Sequence, residues 1–64
     1  MKIKYDKEVD ILYVSFLENE IMESDEQEPG IIMDYDKDGN IVGLEILNAS
    51  DKIGKPGNVI YEVA

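Results

Sequence analysis

Sixty-four residues with fifteen acids, six lysines and no arginine, histidine, cysteine or tryptophan carry a formal charge of −9 at pH 7. That composition excludes a Ser-His-Asp or Cys-His nucleophile, a zinc or haem site of the usual ligand types, and any guanidinium fork for phosphate or guanine. An acidic surface also repels nucleic acid backbones and anionic membranes, so neither is expected as a partner, and a charged partner would be a basic protein.

The chain reads as one domain, 1–64, of the size that hides only about 60% of its unfolded surface on folding. Chains this short lean on disulfides, a metal or a second subunit. With no cysteine, a metal or self-association is left, and a homodimer is the expectation. The longest apolar runs, such as Ile11–Val14, fall far short of the ~20 residues that span a bilayer, and no signal-like stretch follows the first lysines. A cytoplasmic protein is the expectation.

The elements follow in chain order. Lys2–Tyr5 alternates, with Ile3 and Tyr5 on one face and Lys2 and Lys4 on the other, as in a half-buried strand. Ile11–Leu17 is apolar on both faces, which suits a central strand or one pressed against another subunit. Glu18-Asn-Glu20 reads as a turn into a short strand around Ile21–Ser24. Glu23–Glu28, with four acids in six residues, reads as a solvated loop or as a docking surface for basic side chains. Pro29-Gly30 turns the chain, and Gly30–Asp36 and Ile41–Leu47 form two further strands. Asn48–Gly54 offers Asn48 or Ser50 as an N-cap and Gly54 as a stop for a short helix. After Lys55-Pro-Gly57, the alternation of Val59, Tyr61 and Val63 against Ile60 and Glu62 predicts a last strand over Asn58–Ala64, available at the sheet edge for a second chain.

The fold class is therefore mainly β, a small α+β domain. It is an antiparallel β meander of four to five strands with a short helical segment near the C-terminus. The dimer would form through the second apolar face or through that terminal edge strand.

One segment, Asp34–Glu45 (DYDKDGNIVGLE), matches the calcium-loop pattern D-x-[DN]-x-[DN]-G-x5-E at every specified position. A helix on each side is required for such a loop, and Pro29-Gly30 with Ile31-Ile32 upstream and Gly43 downstream oppose it. Pairing across Asp38-Gly39 as a type I′ turn instead sets Ile31, Met33, Tyr35, Val42, Leu44 and Ile46 on one face. The other face takes Asp34, Asp36, Gly43 and Glu45, with Ile32 and Ile41 as exceptions. A one-residue slip would destroy this sorting, so a hairpin is predicted. Its carboxylates are expected to form a solvated acidic face. The alternative is a weak cation site built from Asp34, Asp36, Asp38 and Glu45. No catalytic residue and no cofactor are assigned.

Tyr5-Asp6, Glu8, Asp10, Leu12-Tyr13-Val14, Pro29-Gly30, Asp34-Tyr35-Asp36 with Gly39, and Val42–Ser50 together resemble the small prokaryotic family catalogued as domain of unknown function 2283. The resemblance covers about residues 1–50. It implies a small, mainly β intracellular domain without an established activity, some relatives of which are encoded beside toxin-like partners. Residues from Asp51 onward match no pattern. Taken together, an antitoxin-like, non-catalytic interaction module with a basic protein partner is the expected function, and cation binding by the acidic hairpin is the alternative.

Overall fold

The computed structural model describes all residues, 1–64. Five strands, β1 (Lys2–Asp6), β2 (Ile11–Ser15), β3 (Glu23–Glu28), β4 (Ile31–Tyr35) and β5 (Ile41–Leu47), precede one short helix, α1 (Ala49–Ile53). They form a single antiparallel sheet in the order β1-β2-β5-β4-β3. Neighbours in the sheet are neighbours in the chain except at the seam between β2 and β5. The connection from β2 to β3 therefore has to cross the end of the sheet where β4 turns into β5.

Alternation sorts the side chains as the sequence anticipates. Ile3, Tyr5, Leu12, Val14, Met33, Leu44 and Ile46 share the face on which the helix packs, in the registers Ile3↔Val14↔Leu44↔Met33 and Tyr5↔Leu12↔Ile46. Leu12, Ile46 and Ala49 are the buried cluster, with Tyr5 and Leu44 packed against it. This core is thin, and Val42 is the only other buried hydrophobic side chain. The remaining apolar residues of that face are half-buried or exposed.

Three expectations need correction. The third strand is not Ile21–Ser24; it is the acidic segment Glu23–Glu28 itself, paired to β4 with a bulge between Glu26 and Glu28. Its acids prefer solvent, and an outer strand exposes both of its faces, so a polar sequence can hold the ladder without burying anything. The predicted last strand is absent. Asn58–Ala64 has no regular structure, and Val59, Ile60, Tyr61 and Val63 are exposed. Alternation gives a strand only where an edge receives it, and neither β1 nor β3 pairs with this segment.

The third correction concerns the turn. The hairpin β4–β5 has the expected partners from Ile31↔Ile46 to Asp34↔Gly43, then shifts so that Tyr35 faces Ile41. Gly39 alone takes a positive φ (82°) in the turn, whereas a type I′ turn needs one at Asp38 as well. Asp36 N–H donates to the Asn40 carbonyl and Gly39 N–H donates to the Asp36 carbonyl, which encloses the three residues Lys37-Asp38-Gly39. The extra residue is absorbed as a bulge opposite Tyr35, leaving Val42 3% exposed and Ile41 42% exposed.

Candidate functional site

Three aspartates organise the sheet, one at each end and one on the face away from the helix. At the turn end, Asp36 accepts hydrogen bonds from the Asp38 and Asn40 amides (2.9 Å each), from Asn40 Nδ2 (3.1 Å) and from Asn19 Nδ2 (2.8 Å). The first three shape the turn, and the fourth fastens the β2–β3 crossing to it. Phe16 and Leu17 amides add bonds to the Val42 carbonyl (2.8 and 3.2 Å), and the Met22 amide bonds the Tyr35 carbonyl. Bonds to the charged form favour it, so Asn19 first, and then Asn40 and the Asp38 amide, hold the Asp36 carboxyl down to about 2 against the opposing effect of burial.

At the other end, Asp10 ties β1 to the helix. Its backbone is left-handed (φ 56°), it accepts Tyr5 Oη (2.7 Å), the Ser50 amide (3.0 Å) and Ser50 Oγ (2.7 Å), and its carbonyl takes the Ala49 amide (2.9 Å). It therefore caps a helix forty residues away. Asn48, read from the sequence as a cap, sits at the N-cap position but is itself left-handed and makes no side-chain cap bond. A five-residue helix cannot satisfy its own first amides, so a distant carboxylate supplies the acceptors. Ser50, and then Tyr5, lower the Asp10 pKa, and the same bond raises that of Tyr5.

Between the ends, Asp34 on the outer face accepts Ser24 Oγ (2.6 Å) and Tyr13 Oη (3.4 Å), linking β2, β4 and β3. Tyr13 reaches it across β5, its ring lying where Gly43 has no side chain. A Cβ there would sit 2.9 Å from Tyr13 Cζ and 3.1 Å from the Val14 carbonyl oxygen. Burial, and then the Asp34 charge, raise the Tyr13 pKa.

The carboxylates of β3 differ from these. Glu23, Asp25, Glu26 and Glu28 lie along a strand whose six residues are all exposed, at an edge of the sheet with no strand beyond it. Glu23 and Asp25 rise on the helix face with Tyr35 and Met33, and Glu26 on the outer face with Ile32.

Residues 2–50 match the family model described as protein of unknown function, DUF2283. The chain belongs to this family. No curated protein matches the chain, and no solved structure does. The matched DUF2283 region contains all five strands, the three organising aspartates and the start of the helix, and leaves out the tail from Asp51.

In this DUF2283 chain, the four carboxylates proposed as cation ligands do not converge. Asp34 and Asp36 are 6% and 7% exposed and occupied by protein donors, so the expected solvated face is absent at these two positions. No group of three or more acidic side chains gathers as metal ligands. A hollow of about 330 Å³ beside Asp36, lined also by Asn19, Glu20, Met22, Lys37 and Asp38, is open to solvent. Nothing in the sequence marks Asn19, Ser24 and Tyr13 as donors to these carboxylates, because each acts across a distance of ten or more residues. No helix is long and apolar enough to cross a membrane.

Proposed function

We propose that this protein is a non-catalytic, antitoxin-like interaction module of the cytoplasm that receives an extended basic segment of another protein along β3. The observation that carries the reading is that the densest run of acids is an exposed edge strand, not a loop. An edge strand offers unpaired backbone groups to an incoming strand, and its side chains decide which strand is accepted. Four carboxylates disfavour acidic or neutral segments and favour lysine or arginine, and the bulge at Gln27 limits ladder pairing to the Glu23–Glu26 stretch. The toxin-like neighbours implied by the family resemblance are one kind of protein such an edge would occlude. The carboxylates used internally, Asp10, Asp34 and Asp36, are engaged in holding the fold, which leaves no poised acid–base pair and supports a non-enzymatic role.

The test is titration of the labelled protein with a synthetic peptide alternating lysine and valine, followed by amide NMR. Expected are shifts concentrated in Glu23–Glu28 and an affinity that falls steeply with salt. Salt-insensitive binding, or shifts confined to other strands, would overturn the reading. Cation binding is the weaker alternative, because Asp34 and Asp36 already have protein donors. It predicts that calcium shifts the Asp34–Glu45 amides below millimolar concentration, and no shift at several millimolar removes it.

A further inference from the structure

The two edges of the sheet carry opposite charge, and only one is built to meet itself. On β3 four acids face outward, so two copies repel there. On β1, Lys2 and Lys4 share the outer face with Asp6, while Ile3 and Tyr5 share the helix face, and no strand lies beyond. We propose that the occupant of the β1 edge is the β1 strand of a second copy, antiparallel about a two-fold axis through Lys4, joining two five-stranded sheets into one.

The register follows from the side chains. A two-fold axis perpendicular to the sheet keeps each face continuous only if paired positions have the same parity. Centring on Lys4 sets Lys2 opposite Asp6 and Ile3 opposite Tyr5, each pair occurring twice. Centring on Ile3 would oppose Lys2 to Lys4, and centring on Tyr5 would move Ile3 against Lys7, outside the strand. Opposite charges and aromatic–aliphatic pairs stabilise a ladder, whereas like charges oppose it. The single like-charge meeting is Lys4 with its copy, on the outer face where Asp6 and Glu45 line the same hollow. On the helix face, Ile3 is exposed beside Met1 and Tyr61, and the partner's β1 would cover it. Five paired residues and these apolar neighbours make an interface at the small end of the specific range, hence a concentration-dependent dimer.

This pairing replaces the terminal strand, which does not form, as the dimer edge, and it is independent of the β3 reading. The full chain is examined by sedimentation equilibrium and native mass spectrometry. Lys2→Glu and Asp6→Lys should each weaken association roughly tenfold, since each turns two attractive pairs repulsive. An equimolar mixture of the two variants should recover it as a 1:1 heterodimer, because the substituted positions then face opposite charges. Asp6 also accepts the Glu8 amide (3.0 Å), so a second measurement avoids that position. The chain has no cysteine. With oxidised glutathione, Lys4→Cys should cross-link to a disulfide dimer much faster than Lys2→Cys, because only position 4 meets itself. A wild type monomeric at millimolar concentration, a dimer indifferent to both charge variants, or equal cross-linking at positions 2 and 4 would overturn the proposal.

Discussion

Strands β5 and β3 lie two places apart in one sheet and are built on opposite rules. In β5, Val42, Gly43 and Ile46 are buried, and the strand touches β2 on one side and β4 on the other. In β3 every residue is exposed, the backbone is paired on one side only, and four of six side chains are acids. The contrast separates a strand that the sheet needs as it is from one whose acidity the sheet does not require: nothing in β3 has to be acidic for the sheet to exist, whereas little in β5 can change. It also divides the carboxylates. Those at positions 10, 34 and 36 accept bonds that hold the chain together, and those of β3 have no comparable duty apart from Asp25, which takes Gln27 Nε2 at 2.8 Å, and Glu26, which takes the Gly30 amide at 3.4 Å.

The contrast breaks first if the centre proves tolerant. Ile46→Ala removes a central member of the three-residue buried cluster. Such truncations cost about 2–5 kcal/mol. A domain of this size has only about 3–10 kcal/mol in total, so the variant should be largely or wholly unfolded in a urea titration. A loss below about 1 kcal/mol would show that the cluster is not the core. Next in size is Gly43→Ala, where the new methyl group meets the Tyr13 ring and the Val14 carbonyl. Overpacking of this kind costs about 1–3 kcal/mol. Adding Tyr13→Ala should remove most of the Gly43→Ala penalty, so the two changes will be strongly non-additive, and additivity would mean that the ring does not lie over Gly43.

Much of this architecture is legible in the sequence, and the missed parts share a cause. Strands β1, β4 and β5 announce themselves by alternation and β2 by a run that is apolar on both faces, and the pairing from Ile31↔Ile46 to Asp34↔Gly43 follows from sorting apolar from polar residues. The helix is signalled by Asn48 and Gly54, the latter ending it at φ 80°. Strand β3 has no apolar face, so periodicity cannot reveal it; the neighbouring β4 supplies the ladder. The tail shows the converse, a good alternating pattern without a neighbour. At the site, the sequence marks Asp34 and Asp36 but not their state. Whether a carboxylate is solvated or occupied depends on Ser24 and Tyr13, which the topology brings in from other strands, and on Asn19 of the β2–β3 crossing. The Asp36 side chain also changes the turn, accepting the Asp38 and Asn40 amides and so favouring a three-residue connection over the Asp38-Gly39 pair.

Acid should sharpen the division between the two sets of carboxylates. Asp36 titrates near 2 in the folded protein against an ordinary value of 3.8, and Asp10 is lowered as well. A group with a depressed folded pKa stabilises the fold above its unfolded value and loses that contribution as pH falls through the folded one. Thermal melts should therefore show Asp36→Asn less stable than the wild type at pH 7, with the gap closing from about pH 4 down to about 2. A pH-independent gap would mean that the asparagine disturbs the turn by shape alone. Tyr5 and Tyr13, both raised, act in the opposite direction: their contribution is intact below pH 10 and fades as the solution becomes more alkaline.

The smallest effect on stability is expected where the sequence is most extreme. Changing Glu23, Glu26 and Glu28 to Gln and Asp25 to Asn removes four charges and takes the net charge from −9 to −5. Exposed substitutions of this kind usually stay within about 0.5 kcal/mol, and here relief of self-repulsion should push the sign toward stabilisation. Salt provides the control: added sodium chloride screens the same repulsion, so it should stabilise the wild type more than the variant and bring their urea midpoints together. Binding of the lysine–valine peptide should meanwhile collapse in the variant at low salt, leaving a folded protein that no longer receives a basic strand. A variant that loses stability instead would place these acids among the residues that hold the sheet together, and the separation between β3 and β5 would fail at its most exposed strand.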